Sequence, residues 1–253
     1  MNILDGENML NINDSDLKND LSSERLDSFK INSNDSLEIL LIRYLKNIKI
    51  AESFYPAIAL LEITLRNHIN NAINKNIKVD WLLEELSAST PTILLPFEYS
   101  LLQEAKQRIT KPIFKSDGTR TIPTPTMGKL IADLNFGFWV NLCNPRRYSP
   151  NIWMKKPTIF DDVFPYYDSL IAQKNPNAKR HKRINKVSLK LKSILNLRNR
   201  IFHHEPILKN LQDLSNCYSE IEEVLFYMSM ETGQHLLEIS NFHEYWRKIN
   251  KSH

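Results

Sequence analysis

Glycine is scarce in this chain, with five residues among 253. A phosphate-cradling loop needs glycines at set spacings, and neither G-x-x-x-x-G-K nor G-x-G-x-x-G occurs, so the common nucleotide signatures are excluded. Cysteine is scarcer still. Cys143 and Cys217 are too few for a disulfide framework, and no C-x-x-C pair offers a zinc site. The N-terminus has no apolar run of signal-peptide length, and no stretch approaches the roughly 18 apolar residues that span a bilayer. These absences set the expectation of a soluble, cytoplasmic protein that uses no metal and no cofactor. What the chain does have is 42% hydrophobic residues, enough to build a substantial core.

The net charge of +4 hides a division. Residues 1–36 carry three basic and eight acidic side chains, a net of −5, which leaves +9 on residues 37–253. The first stretch is rich in Asn, Asp and Ser and has little apolar periodicity, so it reads as a disordered or loosely attached tail. A single domain is expected over 37–253. Within it, residues 174–192 hold eight Lys or Arg and no acidic residue. A charge run is often only a solvated helix face. This one leads straight into LRNRIFHHEPI at residues 197–207, and that continuity points to a polyanion. Lys179, Arg180, Lys182, Arg183 and Lys186 are the candidates for phosphate contact, with Arg200 beside them.

Apolar periodicity predicts an all-α fold. Leu37, Leu40, Leu41, Tyr44, Leu45 and Ile48 form one stripe at three- and four-residue steps, and Phe54, Ile58, Leu61, Leu65, Ile69 and Ala72 form another. Shorter helices are expected between 81 and 109, broken near Pro91 and Pro96. In PIFKSDGTRTIP, Asp117 and Gly118 sit between two β-prone runs, the signal for a hairpin or irregular insertion near residues 110–125. Thr126 is placed to cap the next helix, whose core segment is LIADLNFGFWVNL. A Pro- and Trp-containing connection follows through residue 165. A basic helix is expected from about Lys179 to His204, and an amphipathic one after it through Leu211, Leu214, Tyr218, Ile221, Leu225 and Met228.

At about 100° per residue, Ile184, Val187, Leu191, Ile194, Leu195, Ile201 and Phe202 fall on one stripe of the basic helix, with Arg198 near its middle. An unpaired guanidinium there is costly, so Arg198 must meet an anion, either a ligand or a side chain such as Glu62. Glu62 has a competing partner in Arg66 one turn along its own helix. Asn199 and His203 share a neighbouring face. Pro206 disfavours helical dihedrals at Glu205, so His203 and His204 belong to the last turn, where the helix dipole favours imidazolium.

RNA cleavage wants this residue set. It needs a base for the ribose 2′-hydroxyl, a proton donor for the leaving oxygen, and cations for the charge growing on phosphorus. Imidazoles serve the first two roles, and arginine's planar fork serves the third. Spacing alone is weak, since about one third of an Arg-x4-His pair is expected by chance at this composition. A metal site at His203, His204 and Glu205 is disfavoured because adjacent helical residues diverge by about 100°. His68, His181, His235, His243 and His253 read as surface or packing residues, and Phe136, Phe138 and Trp139 as core rather than a base-stacking platform.

The wider string is more specific. Arg198, Asn199 and His203 in LRNRIFHHEPI fit the Arg-Asn-x3-His signature of the HEPN ribonucleases, and the segment resembles that of the Abi-like abortive-infection family. YPAIALLEITLRNHI at 55–69, LNFGFWVNL at 134–142 and Phe164-Pro165 resemble the same family. The resemblance implies a HEPN-type helical bundle and a metal-independent endoribonuclease toxin in phage defence. It further implies a site shared by two protomers and restraint by a small noncoding RNA. Arg198, Asn199 and His203 would be catalytic, with His204, Glu62 and Arg66 supporting. Arg66-Asn67 echoes the motif, but Asn71 stands where its histidine would be. RNA is thus the expected partner, with a homodimer as the working unit and neither membrane nor DNA involved. A non-cleaving RNA-binding module is the alternative, and a scaffold with a merely solvated basic face leaves Arg198 unexplained.

Overall fold

The computed structural model describes residues 19–114, 116–171, 180–209 and 211–251. A short helix α1 (Ser23–Asp27) precedes the longest element, α2 (Leu37–Asn76). Ser36 starts α2 by accepting a hydrogen bond from the Ile39 N–H, which satisfies one donor that a helix start leaves open. The two stripes expected before residue 76 are one helix, continuous through Pro56. Proline removes a helical hydrogen bond, and burial of Phe54, Ala57 and Ile58 around it holds the helix together.

After α3 (Trp81–Ser87) and α4 (Pro96–Ile109), the hairpin expected near 110–125 is present as β1 (Ile113–Phe114) and β2 (Arg120–Thr121). Its strands are antiparallel, with Ile113 opposite Thr121, and Gly118 takes the left-handed φ of +80° in the turn. Among the described residues every other regular element is a helix. Thr126 caps α5 (Met127–Asp133) through the Lys129 N–H. The next segment is two helices rather than one, because the Asn135 side chain accepts from the Phe138 N–H at 2.9 Å and starts α6 (Phe136–Leu142) afresh.

The stretch expected as a connection through residue 165 is also helical in pieces: α7 (Pro145–Tyr148), a π turn at Ser149–Trp153, and α8 (Ile159–Val163). Each piece is too short for a periodic signal, yet Ile152, Trp153, Ile159, Phe160 and Val163 are all buried. Then come α9 (Tyr167–Ile171), α10 (Arg180–Phe202), α11 (Leu211–Met228), α12 (Met230–Ile239) and α13 (Phe242–Lys251).

The core forms where α2 meets α8, α11, α12 and α13, and where α10 lies against α11, α6 and α7. Phe54, Tyr218 and Phe242 lock three of these helices together, with Tyr218 and Phe242 stacked at 3.8 Å. Phe136, Phe138 and Trp139 are buried in the same core. Among the described residues, no helix is long and apolar enough to cross a membrane.

Composition sets residues 1–36 apart as a tail, but residues 19–36 are folded onto the body. Leu26 and Phe29 are buried against Leu40 in a small second core. Arg43 ties the segment down by donating to the Phe29 carbonyl and to both oxygens of Asp35. That guanidinium, with the N–H groups of Asn32 and Ile31, holds the Asp35 carboxyl well below the usual carboxylate range. Two apolar side chains in an acidic stretch are too few for a periodic signal. They are enough for a docked segment.

Candidate functional site

The motif occupies the C-terminal end of α10. Ile184, Val187, Leu191, Ile194 and Leu195 of the expected stripe are buried. Phe202 departs from that expectation: it is 47% exposed, and its ring lies under the Arg198 guanidinium with 4.1 Å from Cζ to the ring centroid.

Arg198 meets the anion that its place in the stripe requires. Its Nε donates to Glu62 Oε1 of α2 at 2.8 Å, with the two side chains 25% and 26% exposed. Its terminal nitrogens make no hydrogen bond to any described residue. One edge of the fork is thus anchored, and the other is open to an incoming oxygen. Arg66, a turn beyond Glu62, makes no ion pair with it, and its Nε is buried with no hydrogen-bond partner. Asn71, where the echo of the motif lacks a histidine, is exposed.

The helix ends in a compact hydrogen-bonded turn. The Glu205 N–H donates to the Arg200 carbonyl and the His204 N–H to the Ile201 carbonyl, both crossing the end of α10, while His204 takes a left-handed φ of +56°. Glycine is the usual occupant of that position. His203, just before it, keeps the helical bond from its N–H to the Asn199 carbonyl. Asn199, His203 and His204 are all exposed. Five residues of helix separate Arg198 from His203 by about 140° around the axis. Within one chain the arginine meets α2 through Glu62, while the helical angle sets the exposed histidine on a different face.

Three side chains hold the turn from outside its ladder. Arg25 Nη1 donates to the carbonyls of His203 and His204, at 3.3 Å and 3.0 Å. The Asn47 amide donates to the Glu205 carbonyl and accepts from the Ile207 N–H at 2.7 Å. Arg200, expected on RNA, donates from Nε to the Glu205 carboxylate and from Nη2 to the Pro206 carbonyl, so it already serves its own loop. Arg25 carried no signal in the sequence. Asn47 carried one: it is a polar residue on the apolar stripe of α2, and it is 4% exposed.

The basic run divides in two. Arg183 pairs with Asp168 and faces Asp161, and Lys190 lies 3.1 Å from Glu223 and 3.6 Å from Glu220, so these charges are answered locally. Lys182 and Lys186 are exposed on α10. Lys179 and the side chain of Arg180 lie outside the described residues. Of the remaining histidines, His68 meets the Val163 carbonyl, His235 meets Glu238 and His243 meets Glu222, while the side chain of His181 and the whole of His253 lie outside the described residues. Burial lowers the His68 pKa, against the opposing hydrogen bond to Val163. Among the described residues, no three His, Cys, Asp or Glu side chains converge as ligands for a metal ion.

No family model, curated protein or solved structure matches the chain.

Proposed function

We propose that this protein is a metal-independent endoribonuclease toxin of abortive infection, cutting RNA at a site completed by two copies of the chain. The observation that carries the reading is Arg198. Its guanidinium is half-buried and anchored through Nε alone, with its terminal nitrogens unspent, one turn from an exposed histidine. A phosphate oxygen is the natural partner for such an open fork. The likeness of LRNRIFHHEPI to the HEPN motif supplies the reaction class.

In the proposed reaction, a neutral imidazole takes the proton of the ribose 2′-hydroxyl, and the 2′-oxygen attacks phosphorus. The bond from phosphorus to the 5′-oxygen breaks, and an imidazolium returns a proton to that oxygen. The products are a 2′,3′-cyclic phosphate and a 5′-hydroxyl. Arg198 stabilises the extra charge on the phosphoryl oxygens in the transition state. DNA lacks the nucleophile and survives.

Two imidazoles are needed, and each chain has one motif. A twofold dimer supplies the second and removes the difficulty that Arg198 and His203 diverge within one chain. Tyr55 and Ile63 on α2 and Phe202 on α10, each at least 47% exposed, offer apolar surface near Glu62 and Arg198 for that contact. A noncoding RNA antitoxin would compete for the same cations.

The test is to incubate the purified chain with mixed RNA in EDTA beside His203→Ala. Cleavage to 2′,3′-cyclic ends by the parent alone is the expected result. Strict dependence on added Mg²⁺ or Mn²⁺ overturns the chemistry, and binding without cleavage leaves the RNA-binding module.

A further inference from the structure

The side chain nearest to regulating the two histidines is not on their helix. Arg25 sits in the docked N-terminal segment, and its guanidinium donates to the carbonyls of His203 and His204, 178 and 179 residues away in the chain. Those carbonyls lie just past the last residue of α10, at the negative end of its dipole, and no backbone N–H of a described residue donates to them. A cation bonded there satisfies both demands. We propose that Arg25 is a positioning residue, which holds the turn carrying His203 and His204 in the geometry needed for catalysis.

The surroundings carry this further than simple capping. The turn is left-handed at His204, a conformation that a non-glycine residue holds only when its neighbours constrain it. Its ladder consists of two hydrogen bonds. Arg25 grips the carbonyl side while Asn47 grips Glu205 and Ile207 from α2. Arg25 is itself held, because Leu26, next to it, is buried against Leu40. The docked segment therefore acts as a brace: α1 anchors Leu26 in the body and delivers Arg25 to the helix end. Without the guanidinium, the last turn of α10 frays into water, and His203 loses the fixed position that proton transfer demands. Because Arg25 is occupied by backbone carbonyls, it contributes to the rate and not to RNA affinity.

The inference rests on the ribonuclease reading, and two measurements on the full-length chain separate them. The first is amide hydrogen exchange in Arg25→Ala. Exchange at Glu205 and His204 should rise about tenfold, the factor for losing a charged hydrogen bond worth roughly 1.4 kcal/mol, with Leu191 in mid-helix unchanged. The second is single-turnover cleavage with RNA affinity measured alongside. Arg25→Ala should cut the rate about tenfold at unchanged Kd. Arg25→Lys, which keeps a donor and a charge, should recover part of it. Unchanged exchange in Arg25→Ala overturns the proposal, as does an unchanged or increased rate, and so does a loss confined to Kd. A parent chain that cuts no RNA sinks the ribonuclease reading by itself. The brace is then judged by exchange alone, and equal exchange in parent and variant overturns it.

Discussion

Glu98 accepts from both terminal nitrogens of Arg147 at 2.9 Å and from the Tyr148 hydroxyl at 2.7 Å, and its side chain is fully buried. Glu62 accepts a single bond, from Arg198 Nε at 2.8 Å, and both partners keep about a quarter of their side-chain exposure. The two pairs have the same chemistry and opposite completeness. A carboxylate taken out of water must have its lone pairs filled, and at Glu98 they are, leaving nothing to offer a ligand. Burial and the hydrogen bond to Glu98 push the Tyr148 phenol far above its usual range, so it stays a neutral donor. Arg147 itself is 36% exposed, but both its terminal nitrogens are taken, whereas at Glu62 and Arg198 water reaches the carboxylate and the terminal nitrogens stay open. The free edge of the guanidinium is the kind of unfinished interaction that a substrate completes.

The largest effect should come from breaking the closed pair. Glu98→Ala leaves the Tyr148 hydroxyl without its acceptor in the interior and removes two charged hydrogen bonds from Arg147, which at 36% exposure can turn to water, and should cost about 3 kcal/mol in urea unfolding. Glu62→Ala should cost no more than about 1 kcal/mol, because Arg198 can turn to water. Its effect belongs to RNA cleavage, where the loose arginine no longer holds its place. Equal losses in the two variants would erase the distinction between a closed and an open pair.

Asn47 lies between these extremes. Asn47→Ala removes the acceptor of the buried Ile207 N–H and the donor to the Glu205 carbonyl. An unsatisfied buried amide costs about 1–3 kcal/mol, and the urea midpoint should fall accordingly. A neutral result would mean that the loop after α10 finds other partners, and the motif corner would then be looser than its hydrogen bonds imply.

The open pair was legible in the sequence, and its surroundings were not. Arg198 stands in an apolar stripe, so helical angle plus the cost of an unpaired charge demanded an anion, and Glu62 was a named candidate. Pro206 marked the helix end. Phe202 was misplaced because the angular rule assigns it to the stripe without knowing that α10 stops there and that its ring can lie under a guanidinium instead. Arg25 was invisible for a deeper reason. Its acceptors are backbone carbonyls of a distant turn, and carbonyls leave no mark in a residue pattern. Likewise, helices of four to seven residues between 127 and 163 are decided by caps and tertiary burial rather than by period.

A smaller effect concerns His68, half-buried on α2 beyond the open pair. Its folded pKa lies below the ordinary value of 6.5, so the folded state resists taking the proton that the unfolded chain accepts. The stability this provides is complete above about pH 6.5 and is lost as pH falls toward the folded value. Thermal melts from pH 7 to pH 5 should show a downward slope that His68→Gln reduces. A slope that is unchanged in the variant would assign it to other groups.

The smallest effect should be a gain. His204 holds φ at +56° in the turn that ends α10, the position where glycine is the usual residue. A side chain there crowds its own backbone, while glycine adopts the conformation freely. Glycine also gives the unfolded chain more freedom to lose, which offsets part of the relief. His204→Gly should therefore raise stability by only about 0.5 kcal/mol. The closed corner at Glu98 has no counterpart to this, for none of Glu98, Arg147 and Tyr148 takes a positive φ. Strain retained beside an open guanidinium is understandable if the imidazole is used on RNA, and in that case His204→Gly trades activity for stability. The pair of measurements decides it. Higher stability with reduced cleavage or weaker RNA binding makes His204 a working part of the site, whereas higher stability with both unchanged makes it a replaceable helix terminator.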